Sequence, residues 1–177
     1  MTHIDDKIVD LARTALNFEY GEERFYRHAA GMTQNSSGKA MFLRLAKERP
    51  ERMEDMHKLF GAVIGQEEWQ RLVAEEAANA HPSGVIAEMD TVVAQRGMEE
   101  VADDTQALRV AMELERRILH LLKEVSEHIN NPDIIKLAEK MIQEENYQYD
   151  ALQAQLDSVL NVGIWLDKPE FRMDGKY

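Results

Sequence analysis

The fold is indicated by two segments with the same spacing of apolar residues: ALNFEYGEERFY at residues 15–26 and AMELERRILHLL at residues 111–122. In both stretches apolar side chains recur every three or four residues, which is the period of an amphipathic helix. Both also place a glutamate, Glu19 or Glu115, inside the apolar stripe. Because the second stretch matches the first position by position, the sequence predicts an internal repeat.

The repeat extends into the next helical pattern at the same offset. Leu45-Ala46 aligns with Met141-Ile142, and the later apolar positions align as well: Met56 with Leu152, Phe60 with Leu156, and Val63 with Val159. Four long helical patterns result, at about residues 3–30, 38–64, 103–130 and 133–160, and no strand alternation is visible. The sequence therefore predicts an all-α bundle of four long helices, built from two repeated αα-hairpins at about residues 3–64 and 103–160.

The connection between the hairpins, residues 66–102, has a weaker pattern. It contains a short helix at about 66–79, a break at 81–84 and another short helix near 84–96. Because the second hairpin starts again at the far end, this crossover must run the length of the bundle.

One domain is expected, residues 1–160, followed by a short irregular tail at 161–177. Trp165, Phe171 and Tyr177 lie in this otherwise polar tail. Their presence suggests that the tail docks on the bundle or on a second subunit, so we expect a homodimer.

Composition excludes several classes of function. The 177 residues carry 21 Lys and Arg against 33 Asp and Glu, a formal net charge of −12. Such a chain is repelled by phosphate backbones and anionic membranes, so neither nucleic acid nor a membrane is an expected partner. The chain has no cysteine, which excludes disulfides, thiolate nucleophiles and thiolate-held metals. It also shows no targeting pattern or long apolar run, so the expected compartment is the cytoplasm.

Three acids stand among the apolar positions: Glu19, Glu115 and Glu145. A lone carboxylate is costly to bury, so each must be paired, protonated or bound to a cation. Glu145 follows Glu115 by 30 residues, and the same step from Glu19 leads to Arg49. A helix–loop–helix of this spacing brings the two residues face to face at the middle of the bundle.

This arrangement resembles the rubrerythrin-like branch of the ferritin-like superfamily. The pattern of that branch is Ala…Glu…Phe-Tyr, then Leu-Ala-x-x-Glu-x-x-His about 30 residues after the first Glu, with the whole repeated. The matching positions in this chain are Ala15, Glu19, Phe25, Tyr26, Leu45 and Ala46, then Ala111, Glu115, Met141, Ile142 and Glu145. The resemblance covers residues 3–160 and implies a ferritin-like four-helix bundle.

The resemblance also implies a metal centre. In that family a Glu from each of two helices and a Glu-x-x-His from each of the other two bind two irons, and rubrerythrins use the pair to reduce peroxide. The candidate ligands here are Glu19, Glu115, Glu145 and Gln148. Glu22, one turn after Glu19, is either an extra ligand or the partner of Arg52. Without cysteine there is no rubredoxin domain, so redox turnover would need an external electron donor.

The chain departs from the family pattern at three positions. The first Glu-x-x-His is replaced by Arg49 and Arg52, and in the second the His is replaced by Gln148. Arginine cannot ligate a metal, and its charge competes for the same carboxylates. We therefore hypothesise that guanidinium replaces the metal, with Arg49 and Arg52 paired to the interior Glu residues.

An alternative to this arginine pairing depends on Pro50, which removes a backbone hydrogen bond inside the second helix. A local rotation there would turn Glu48 inward in place of Arg49, with Glu51 following. An all-carboxylate iron site would then be formed. Glu54 and His57 also form a Glu-x-x-His motif. His57 lies beyond the mid-bundle site, however, and is interpreted as a surface residue.

Two classes of function remain open at this point. One is a ferritin-superfamily protein whose metal binding is weakened or lost and which has a binding or assembly role. The alternative is an iron-binding di-iron oxidoreductase of the peroxidase type, reducing peroxide or dioxygen, or an iron-handling protein. The sequence leaves open whether the chain is an enzyme.

Overall fold

Five helices make up the computed structural model, which describes residues 6–78 and 104–166. They are α1 (Asp6–Met32), α2 (Ser36–Ile64), α3 (Gln66–Ala78), α4 (Asp104–Ser126) and α5 (Pro132–Val162). Within these two ranges the structure has no strand. The predicted all-α class is confirmed as a helical bundle.

Local signals fix where the helices start and stop. The Asn35 side chain accepts hydrogen bonds from the backbone N–H groups of Ser37 and Gly38 and so caps α2. Asn131 caps α5 in the same way, with Pro132 in the first turn, where no N–H is needed. At the other end of α5, Gly163 adopts a left-handed conformation with φ of 68° and donates its N–H to the carbonyl of Val159.

The long helices pack as antiparallel neighbours. α1 packs most extensively on α2, and α4 on α5, while α1 also contacts α4 and α2 also contacts α5. Lys7 at the start of α1 pairs with Glu124 near the end of α4 at 2.8 Å. Likewise Lys140 near the start of α5 pairs with Asp55 in the second half of α2 at 2.8 Å.

Two hydrophobic cores lie along the bundle, one on either side of its middle. The first holds Leu16, Phe60, Trp69 and Val125, and the second holds Tyr26, Phe42, Leu108 and Trp165. Each long helix contributes residues to both cores, and a short central segment of the helix separates its two sets of core residues. We call this central segment the gap. The gaps contain these buried polar residues: Glu19 and Glu22 in α1, Arg49 in α2, Glu115 in α4, and Glu145 and Gln148 in α5.

Some boundaries differ from those expected. α4 ends at Ser126 rather than near 130, because the chain turns there and the N–H groups of His128 and Ile129 bond back to the carbonyls of Val125 and Ser126. α5 continues into the predicted tail, because its stop is Gly163. α3 matches the predicted helix at 66–79, whereas the helix expected near 84–96 lies outside the described residues.

Candidate functional site: a buried charge cluster

Six charged side chains meet at the gap between the two cores, and we refer to them as the charge cluster. Four are carboxylates and two are guanidiniums: Glu19, Glu22, Glu115, Glu145, Arg49 and Arg52. The most exposed side chain of the six is that of Arg52, at 11%, and the others are between 0% and 4% exposed. All four long helices therefore place charge in a space closed to water.

Arg49 reaches three of the carboxylates. Its Nη1 pairs with Glu22 and lies 3.5 Å from Oε2 of Glu19, and its Nη2 lies 3.6 Å from Oε1 of Glu115. The Nε group donates to the carbonyl of Leu45 one turn back on α2, at 3.3 Å. The guanidinium carbon also lies 5.2 Å from the ring centre of Tyr26, a cation–π distance.

Arg52 occupies the other half of the charge cluster, one turn along α2. Its Nη2 pairs with Oε1 of Glu145 and lies 3.9 Å from Oε2 of Glu115. Glu115 is thus the one carboxylate that contacts both arginines. The two guanidiniums join α2 to α1, α4 and α5 through charged contacts.

Glu115 is also held by two neutral donors. The Tyr26 hydroxyl donates to its Oε1 at 2.6 Å, and Nε2 of Gln148 donates to the same oxygen at 2.8 Å. Hydrogen bonds to an ionised acceptor are stronger than those between neutral groups. These donors fix the position of Glu115 between the two arginines.

Burial and pairing act on the ionisation of the cluster in opposite directions. Burial raises the pKa of Glu22 well above its usual value, although Arg49 opposes that shift. Burial also raises the pKa of Tyr26, as does the negative charge of Glu115. For Arg49, burial disfavours the charged form, but attraction by Glu22, Glu19 and Glu115 outweighs it, so its pKa is raised.

Charge and hydrogen bonding are not balanced within the cluster. With every group ionised, four negative charges face two positive ones. In the described part of the chain, Oε2 of Glu19, Oε1 of Glu22 and Oε2 of Glu145 have no hydrogen-bond partner. For Glu22, burial without a full set of partners favours the protonated form, which agrees with its raised pKa.

The structure brings together most of the residues singled out from the sequence. Glu19, Glu22, Glu115, Glu145 and Gln148 lie in or against the charge cluster, with Arg49 and Arg52 between them. The hypothesis that these arginines pair with interior Glu residues agrees with the contacts, but Glu22 pairs with Arg49 and not with Arg52.

The rotated form of the second helix is wrong. α2 continues through Pro50, and Arg49 stays on the inner face. The Glu48 side chain is 43% exposed and pairs with Arg44 at 3.2 Å, and Glu51 is exposed. The physical reason is that a rotation would also turn Leu45 and Ala46, which are buried in the second core, toward solvent.

These residues do not fit a di-iron centre. Among the side chains that the structure describes, no group of three or more His, Asp or Glu is arranged to hold a metal ion. Two of the positions that ligate metal in the family pattern carry guanidiniums, which occupy the space between the carboxylates and use the same oxygens. A metal would have to displace both arginines.

Comparisons with protein-family models, with curated proteins and with solved structures find no match to the chain. None of the helices in the described ranges is long and apolar enough to cross a membrane.

Proposed function

We propose that this protein is a ferritin-like four-helix bundle, built from two repeated αα-hairpins and similar to rubrerythrins, in which two arginines have taken the place of a di-iron centre. Its role is then binding or assembly in the cytoplasm rather than oxygen chemistry. The observation that carries the proposal is the pairing of Arg49 and Arg52 with four buried carboxylates at the middle of the bundle.

The charge balance of the cluster supports the replacement of a metal pair by two guanidiniums. Four carboxylates facing one another require positive charge between them, and a metal pair or two guanidiniums can supply it. A guanidinium brings directional N–H donors but no open coordination position and no redox change. A site filled in this way holds the helices in register without activating a substrate.

Exposed apolar side chains support the binding or assembly part of the proposal. Leu160, Val162 and Ile164, around the turn that ends α5, are 53%, 64% and 62% exposed. Several exposed apolar side chains within one short segment are a feature of interaction sites. Light scattering during size-exclusion chromatography tests assembly directly, with twice the chain mass expected and a monomer at all concentrations as the contradicting result.

Metal content tests the central part of the proposal. Protein purified from iron-supplemented cells is expected to contain far less than one iron per chain. Two irons per chain would contradict the proposal and support the di-iron oxidoreductase or iron-handling alternative.

A restored ligand set provides the complementary experiment. The triple variant Arg49→Glu, Arg52→His and Gln148→His recreates the two Glu-x-x-His pairs, so a folded variant is expected to bind Fe²⁺ or Co²⁺. The control for the Arg49→Glu component is Arg44→Glu, which makes the same change of charge as that one substitution on the outside of α2 and should bind neither ion. A folded triple variant without metal affinity would contradict the ferritin-like placement of these residues.

A further inference from the structure

The contact between α2 and α3 contains an unusual hydrogen bond. Trp69, in the first turn of α3, is only 1% exposed and stacks on Phe60 at 5.2 Å with an interplanar angle of 17°. Its indole Nε1 donates to Nδ1 of His57 on α2 at 2.5 Å. His57 itself is exposed. A solvent-accessible imidazole is therefore the hydrogen-bond partner of a buried indole.

The chemistry of this pair depends on protonation. The indole N–H can only donate, so its partner must accept. Nδ1 of histidine accepts only in the neutral imidazole that carries its proton on Nε2, because the imidazolium has an N–H at both nitrogens. Histidine is the side chain that ordinarily changes charge between about pH 5 and 8. Protonation would leave two N–H groups facing each other.

Several charged residues close in sequence to His57 and Trp69 form ion pairs of their own. On α2 and α5 these are Glu54 with Lys58, and Asp55 with Lys58 and Lys140; on α3 they are Glu68 with Arg71. The second half of α3 is fixed separately, since Arg13 of α1 pairs with Glu75 at 3.0 Å and with Glu76 at 2.8 Å. Losing the indole bond would therefore weaken the first half of α3 more than the second half, although Trp69 still stacks on Phe60.

We propose that His57 and Trp69 form a pH-sensitive latch. When His57 takes up a proton, the first half of α3 loses one hydrogen bond to α2 and opens more often, which transiently uncovers the apolar surface around Phe60. This inference concerns the contact between α2 and α3 rather than the charge cluster, and it does not rest on the proposed function.

Tryptophan fluorescence tests the latch, because the chain has only two tryptophans. In a Trp165→Phe background the emission reports on Trp69 alone. Lowering the pH from about 8 to 5 is expected to shift this emission to longer wavelength, within the range in which histidine changes charge. His57→Gln, whose amide oxygen accepts at every pH, should abolish the shift, whereas His120→Gln, at an exposed position on α4, should leave it unchanged.

Hydrogen exchange provides a second measurement in the unaltered protein. After correction for intrinsic rates, amides of residues 66–72 should exchange roughly tenfold faster at the lower pH, the factor expected for one net hydrogen bond. The His57→Gln variant should show no such acceleration. The latch is overturned if exchange in this segment does not depend on pH, or if the His57→Gln variant responds as the unaltered protein does.

Discussion

The side chains of Arg49 on α2 and Glu22 on α1 contact each other in a space closed to water, where they are 4% and 0% exposed. The pair lies between two hydrophobic cores and extends through Glu115 and Arg52 to Glu145 on α5. Buried pairs of this kind add little net stability compared with apolar packing, but removing one partner leaves an uncompensated charge. The charge cluster therefore makes the bundle sensitive to single substitutions at its middle.

Replacing Arg49 tests that sensitivity. Arg49→Met keeps most of the side-chain volume but leaves Glu22 and Glu19 without their cation, so we expect a loss of about 3–5 kcal/mol in the free energy of unfolding. Urea unfolding followed by circular dichroism measures it. Arg44→Met is the matched control, since Arg44 pairs with Glu48 at the surface of the same helix, and its cost should stay below about 1 kcal/mol. If Arg49→Met and Arg44→Met lowered the free energy of unfolding by similar amounts, the carboxylates of the charge cluster would not depend on Arg49 for stability.

Glu22→Gln should change the pH dependence of stability. Because the pKa of Glu22 is raised in the folded state, the native protein holds a proton that the unfolded chain releases. Its contribution is fully present below the unfolded pKa, about 4.3, and is lost as the pH rises toward the folded pKa. Glutamine, which cannot ionise, avoids this loss.

The stability of Glu22→Gln relative to the unaltered protein should therefore rise with pH above about 4.5, with a slope of at most about 1.4 kcal/mol per pH unit. Urea unfolding at several pH values between 4 and 8 measures the slope. Glu23→Gln, which changes an exposed neighbour paired with Arg27, should show almost none. A falling or flat difference for Glu22→Gln would mean that Glu22 is ionised in the folded protein.

Tyr26→Phe should destabilise the bundle by removing one donor to Glu115. The hydroxyl makes a 2.6 Å bond to a buried carboxylate, and bonds to charged groups contribute about 1.5–3 kcal/mol. Thermal and urea unfolding measure the change. The control is Tyr147→Phe, since Tyr147 is 43% exposed and accepts its hydrogen bond from an exposed Gln143. If Tyr26→Phe lowered stability no more than Tyr147→Phe, the hydrogen bond from Tyr26 to Glu115 would not contribute to the stability of the bundle.

Gly38→Ala tests the docking of Trp165 against the start of α2. A Cβ at residue 38 would lie 2.7 Å and 2.8 Å from two carbons of the Trp165 indole. We expect the indole to be displaced, its emission to move to longer wavelength, and stability to fall by about 1–3 kcal/mol. Gly31→Ala provides the contrast, because nothing lies within 4 Å of its added Cβ and alanine is the better helix former by about 0.5–1 kcal/mol. Stabilisation by Gly38→Ala would contradict the packing described.

The sequence predicted the helices well because their signals are local. Apolar periodicity identified the four long helices, and Asn35, Asn131 and Gly163 set boundaries within a few residues of those expected. Periodicity also placed Glu19, Arg49, Glu115 and Glu145 on inner faces, since residue spacing along a helix determines the direction of each side chain. The error about Glu48 and Glu51 arose from Pro50, whose missing hydrogen bond does not stop α2.

Residue spacing alone was enough to predict that this chain is helical and that its inward faces carry excess acid with two arginines. The partners of these charged residues could be read only from the packed helices. Glu22, rather than Glu19, is the closest partner of Arg49, and Arg52 pairs with Glu145. The bond from Trp69 to His57 also spans two helices and follows no periodic spacing. Such partners depend on axial offset and rotation between helices, and a shift of one residue, 1.5 Å along a helix, is enough to exchange them.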